Sequence, residues 1–160
     1  AGVACAGGLG VALWCDLRVA DETASFAVLS RRWGVPMSDG TTVRLPRVVG
    51  MGRALDMLLT ARVVDAHEAL RIGLVNEVVP AGQALAQAQE LARRIAGFPQ
   101  IAMRSDRRSA YEQWSLPEAQ AIANENLRSL EGRRVEAVSG APRFAQGAGR
   151  HGRLDAADDT

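Results

Sequence analysis

The stretch ACAGGLGVALWCD, Ala4 to Asp16, places three glycines within four positions and then runs into apolar residues. Glycine loses more conformational freedom on folding than any other residue, so a cluster this dense marks a place that needs bare backbone. Val11 to Trp14 is apolar. The spacing predicts a short helix from about Gly8 to Cys15, apolar on most sides and therefore buried. On these residues alone two readings of the glycines stay open. They let the helix pack closely against another backbone, or they leave the N–H groups of its first turn open to a carbonyl oxygen. The second is the geometry of an oxyanion hole built from main chain.

Familiar glycine motifs do not fit. A phosphate-cradling loop needs G-x-x-x-x-G-K-[ST]; Gly2 and Gly7 have that spacing, but Gly8 stands where the lysine belongs. A dinucleotide fingerprint needs G-x-G-x-x-G; Gly8 and Gly10 begin one, Leu13 ends it, and no strand is expected ahead of Gly2. No serine is flanked as a nucleophile elbow requires.

Downstream, LRVAD (Leu17 to Asp21) and ASFAV (Ala24 to Val28) alternate as strands do, joined by a polar turn at Asp21-Glu22-Thr23. RRWGVPMSDGTT reads as a loop, followed by helices over Thr41–Val49 and Gly52–Thr60. DAHEALRIG carries Asp65 as an N-cap, Glu68 three residues on and Gly73 at the end. LVNEVV is a short strand closed by Pro80. From Gln83 the apolar spacing turns helical, with further helices over Ile101–Trp114, Glu118–Leu130 and Val135–Phe144. The expected organisation is therefore a mixed α/β part over 1–80, a helical region over 81–150, and a disordered tail over 151–160.

The 160 residues are 48% hydrophobic, enough for a real core, and 19 basic against 18 acidic residues leave a net charge of +1. That balance gives no electrostatic case for nucleic acid or an anionic membrane as partner. Cys5 and Cys15, ten positions apart, lack metal-ligand spacing, and His67 and His151 lie far from each other, so no metal site is expected. Both cysteines read as small buried residues of a reduced, cytoplasmic protein. Trp14, Trp33 and Trp114 read as core or interface residues. The chain opens on Ala-Gly, which raises the expectation of a protein represented without its N-terminal part.

GVACAGGLGVALWCDLRVADETASFAV, followed by RLPRVVG, LTARVVDAHEALRIGLVNEVVP and LARRIAGFP, resembles the crotonase superfamily of enoyl-CoA hydratases and isomerases, from Gly2 to about Phe144. The resemblance implies the C-terminal portion of a ββα spiral followed by a helical region that packs homotrimers or hexamers. It implies an acyl-CoA thioester as partner, fatty acid metabolism as setting, and no cofactor beyond the coenzyme A of the substrate. Gly7 falls where the family places one backbone N–H donor for the thioester oxygen, with Ala6 and Gly8 beside it in contact with substrate.

The family's two catalytic glutamates fall at Gly10 and Ser30. Neither can be a general base at neutral pH, although Ser30 can hydrogen-bond substrate. Asp39 is the candidate replacement carboxylate; the same residue type also caps helices, and a helix begins at Gly40–Thr41. RFAQGAGRHGR resembles the segment bordering the adenine of coenzyme A, which nominates Phe144 and Arg150. The implied function is a hydratase or isomerase acting through the oxyanion hole. The alternative is a non-catalytic acyl-CoA-binding or structural member.

Overall fold

The structure is a computed structural model, and residues 1–149 are described. The chain divides into two compact units, Ala1–Leu91 and the residues from Ala92 on. The first unit holds five short strands and most of five helices. They are β1 (Val3–Cys5), α1 (Gly7–Trp14), β2 (Val19–Asp21), β3 (Ser25–Ala27), α2 (Thr41–Val49), α3 (Met51–Thr60), β4 (Val64–Asp65), α4 (Ala66–Arg71), β5 (Glu77–Val79) and the start of α5 (Ala84–Ala96). A single 3₁₀ segment, Leu29–Trp33, follows β3.

β1 corrects the expectation that no strand leads into the glycines. Val3–Cys5 pairs in parallel with β3, Val3 opposite Ser25 and Cys5 opposite Ala27. Three residues suffice because both ends are tied: Ser25 N–H donates to Gly2 O at 2.9 Å and Ala6 N–H to Ala27 O at 3.1 Å.

The turn at Asp21-Glu22-Thr23 does not make a hairpin. β2 pairs in parallel with β5, while β3 lies between β1 and antiparallel β4, so consecutive strands feed two different sheets. Asp21 makes this corner and is 1% exposed. Its Oδ1 accepts from the Thr23 hydroxyl (2.6 Å) and N–H (3.1 Å), and its Oδ2 accepts from Gly82 N–H (2.9 Å). The Thr23 hydroxyl, then the Gly82 N–H, hold the buried carboxyl below its ordinary value. Buried charge is tolerable here because each carboxylate oxygen has a donor.

Leu9 and Leu13 of α1, Leu45 of α2, Met57 of α3, Val64 of β4 and Leu74 form the centre of the core with Phe26 and Val28. The amphipathic spacing of α2 and α3 turns Leu45, Val49, Ala54 and Met57 inward. α1 departs from the sequence reading. Leu9, Gly10 and Leu13 are buried, but Val11 is 69% and Trp14 59% exposed, so one stripe of an almost wholly apolar helix faces outward. The cysteines are not buried either: Cys5 is half-buried and Cys15 exposed. Trp33 and Trp114 are likewise exposed rather than core residues. α4 has its predicted N-cap, with Asp65 Oδ1 accepting from Glu68 N–H at 2.7 Å and Gly73 at positive φ after the helix, while the Glu68 carboxylate pairs with Arg62.

The second unit is helical: the end of α5, then α6 (Gln100–Glu112), α7 (Glu118–Val135) and α8 (Ala137–Ala145). α6 and α7 pack together closely enough that a Cβ on the buried Gly132 would sit 3.3 Å from Ala102 Cα. Glu136 caps α6 from the far end of α7, accepting from Ile101 N–H at 2.9 Å and Ala102 N–H at 2.7 Å. Glu112 ties the pair at the other end. It accepts from Asn124, Arg108 and Arg128, which, Asn124 first, bring its carboxyl down to about 2. The predicted tail at 151–160, and Arg150, lie outside the described residues.

Candidate active site

Four elements build the candidate site: the end of β1, the first turns of α1, the loop after the 3₁₀ segment, and the start of α2. The chain enters α1 through Ala6, whose φ of 48° and ψ of −117° are unusual for a residue with a Cβ. That peptide geometry is held by the Ala6 N–H bond to Ala27 O and by Gly10 N–H donating to Ala6 O at 3.1 Å. No side chain caps α1. Gly7 and Gly8 are exposed, so the first-turn N–H groups, the positive end of the helix, stand at the surface without a Cβ over them.

Gly10, one turn on, is buried under the Asp39 carboxyl group. A Cβ built on Gly10 would come 2.9 Å from Asp39 Oδ1, and closer still to Oδ2 and Cγ, nearer than real side chains pack. A Cβ on Gly7 would lie 3.9 Å from the same Oδ2, an ordinary contact. Asp39 thus places a carboxylate in the space that a side chain at position 10 would fill, supplied by another segment of the chain.

Asp39 is held at both ends. Its Oδ1 accepts from Thr41 N–H at 3.0 Å, and its main-chain oxygen accepts from Trp14 Nε1–H at 2.9 Å. Gly40, at φ 89°, brings its Cα against the Trp14 indole, where a Cβ would be 3.5 Å from the ring. The Arg44 guanidinium lies over the other part of this arrangement, 3.7 Å from the Trp14 ring centroid, with Nη1 donating to Leu13 O at 3.1 Å. The Thr41 side chain beside it, first, and the Thr41 N–H hold the Asp39 carboxyl below its ordinary value, against a desolvation that acts the other way. The buried Thr41 hydroxyl lies close to the carboxyl but makes no geometric hydrogen bond among the described residues, so the N–H is the bond that fixes Asp39.

The other nominated residues scatter. Ser30 is half-buried in the 3₁₀ segment, its hydroxyl donating to Met37 Sδ at 3.3 Å. Phe144 lies on α8 in the second unit and is 62% exposed. Arg32, in the same 3₁₀ segment, reaches Ala61 O at 2.9 Å. Sequence reasoning missed Ala6's backbone geometry, the part of Thr41 and the part of Trp14. A positive φ at alanine has no sequence signal, and the Trp14–Asp39 pairing spans 25 positions. Among the described residues no group of three or more His, Cys, Asp or Glu side chains is placed to hold a metal ion, and no helix is long and apolar enough to cross a membrane.

The chain is similar to known proteins over most of its length. The family described as enoyl-CoA hydratase/isomerase matches residues 1–134. Enoyl-CoA hydratase EchA19 of Mycobacterium tuberculosis is 40% identical over 121 residues, covering 76% of this chain and 46% of its own length. Crotonyl-CoA hydratase of Syntrophomonas wolfei is 41% identical over 111 residues, 69% of this chain and 43% of that protein. The crystal structure of enoyl-CoA hydratase from Bacillus anthracis superposes with a TM-score of 0.84 at 30% identity, over 91% of this chain and 57% of that one. The chain belongs to the enoyl-CoA hydratase/isomerase family and has the crotonase fold, represented by part of its ββα spiral and a helical region. It spans less than half the length of these two curated relatives.

Proposed function

We propose that the protein binds an acyl-CoA thioester with its carbonyl oxygen on the Gly7 N–H and moves a proton with the Asp39 carboxylate. The observation that carries this reading is the Asp39 carboxyl group over the Cα of Gly10, within 4 Å of where a Gly7 side chain would begin. Ala6 and Gly8 flank the thioester, and Ser30, in the 3₁₀ segment, is the residue nominated to hydrogen-bond substrate. Phe144 borders the adenine of coenzyme A. Arg150, outside the described residues, keeps that role as an expectation from sequence.

The chemistry follows from the count of ionisable groups. Water addition needs one group to activate water and another to deliver a proton. Gly10 and Ser30, at the two glutamate positions, supply neither. Asp39, a carboxylate ionised at neutral pH, is the group there that can accept a proton. One carboxylate suffices for a 1,3-proton shift. Asp39 takes a proton from the carbon next to the thioester carbonyl, electron density moves onto the oxygen held by Gly7, and the same carboxylic acid returns the proton two carbons along. Each oxyanion donor of this kind contributes on the order of 10²–10³-fold in rate. An isomerase is therefore favoured over a hydratase.

The Thr41 N–H already bonded to Asp39 favours a second reading, in which that carboxylate only anchors the loop and the protein binds acyl-CoA without turnover. Offering the full-length protein a 3-enoyl-CoA and a 2-enoyl-CoA separates these. Conversion of the first without hydration of the second supports the isomerase. Saturable binding with neither reaction supports the non-catalytic reading. A homotrimer or hexamer is the proposed assembly, supported by Ile122, Leu127, Val135 and Val138, apolar yet more than half exposed on α7 and α8.

A further inference from the structure

Gly10 and Trp14 lie four residues apart on α1 and so share a face of the helix. Asp39 meets that face twice, its carboxyl group at Gly10 and its main-chain oxygen at Trp14 Nε1. We infer that Trp14 is a positioning residue for the reacting carboxylate: its indole N–H and ring fix the Asp39–Gly40 peptide so that the Asp39 side chain stays over Gly10.

The inference rests on the reading of Asp39 as the proton-moving group. It explains an exposure that packing does not. Trp14 is 59% exposed, so burial of its ring is a poor reason to place a tryptophan there. Yet each face and edge that meets the protein is matched. The N–H has an acceptor at 2.9 Å, Gly40 leaves no Cβ against the ring, and Arg44 stacks at 3.7 Å. Arg44 is itself anchored to Leu13 O, next to Trp14 on the same helix. The loop and the start of α2 are thereby fastened to α1 at two points, Asp39 O on the Trp14 indole and Arg44 on Leu13 O, while Thr41 N–H sets the carboxylate's direction. A carboxylate on a short side chain has little reach of its own, and a misplacement of about 1 Å can cost on the order of 10²-fold in rate.

Two substitutions test this in the full-length protein, with Asp39→Asn as the control for the underlying reading. Trp14→Phe keeps a ring for Arg44 and removes the N–H. Replacing Trp14 with benzothienylalanine keeps the indole's shape as well, and removes only the donor. Both should lower kcat for proton transfer by about tenfold, the worth of one hydrogen bond, with KM within about twofold. Both should also raise the Asp39 carboxyl titration, followed by carbon-13 NMR, back toward its ordinary value as the bond from Thr41 N–H loosens. Parent kcat and an unmoved Asp39 titration in the benzothienylalanine protein would overturn the inference while Asp39→Asn remains inactive. If Asp39→Asn keeps its turnover, the reading of Asp39 fails, and the NMR titration alone then decides whether Trp14 sets the position of the side chain.

Discussion

Asp39 occupies the space in which a side chain at Gly10 would stand. The two residues exclude one another: a carboxylate can come from the helix at position 10 or from the loop at position 39, and this chain has the second arrangement. That exclusion governs the simplest prediction. Gly10→Ala should expel the Asp39 side chain. The gain in helix propensity, about 0.5–1 kcal/mol, offsets the loss of the bond to Thr41, so thermal stability should stay within about 1 kcal/mol of the parent. Activity should fall by more than tenfold. A Gly10→Ala protein with unchanged turnover would mean that Asp39 is not needed where it lies.

Gly10→Glu alone should not create a hydratase, because its side chain meets the Asp39 carboxylate and two negative charges then share one site. Gly10→Glu combined with Asp39→Gly removes the conflict. Adding Ser30→Glu to that pair supplies the second carboxylate that water addition needs; the triple variant should hydrate crotonyl-CoA above the parent, read as loss of enoyl absorbance, and Gly10→Glu alone should not.

Gly7→Val addresses the oxyanion donor. Gly7 is not among the glycines at positive φ, and the nearest atom to an added Cβ is 3.9 Å away. The fold should therefore tolerate the change. Acyl-CoA affinity, measured by calorimetry, should still weaken at least tenfold, about 1.4 kcal/mol, as the branched side chain blocks the approach of the carbonyl. Equal affinity would leave the glycines a packing role only.

Much of the fold was legible because its signals are local. α2 over Thr41–Val49 matches the predicted span, and Asp65 and Gly73 cap α4 as their types require. β1 was missed because three residues carry no period, and its pairing with β3 is made by residues over twenty positions away. The polar turn at Asp21-Glu22-Thr23 was legible, but not that its two strands join different sheets, because β2 pairs with β5 and Asp21 bonds Gly82, 61 positions away. At the site, Gly7 and Asp39 were nominated by resemblance and residue type. The contact of Asp39 with Gly10 was not readable, because it depends on the absence of a side chain and on the path of a loop.

Acid stability should centre on Glu112. Its folded pKa, about 2, lies below its ordinary value of 4.5. A depressed carboxylate contributes stability that is complete above the ordinary value and is lost as pH falls toward the folded one. The melting temperature of the helical unit should therefore drop as pH falls from about 4.5 to about 2. Glu112→Gln should lower it at neutral pH and flatten the acid dependence, as seen by calorimetry across that range.

The central claim, that Asp39 moves the substrate's proton, is tested most directly by deuterium exchange at the carbon next to the thioester carbonyl. A saturated acyl-CoA is incubated with the full-length protein in heavy water and followed by NMR. The account predicts exchange catalysed by the parent protein and reduced at least 10²-fold in Asp39→Asn, with acyl-CoA affinity changed little. Exchange at the parent rate in a folded Asp39→Asn protein would contradict it.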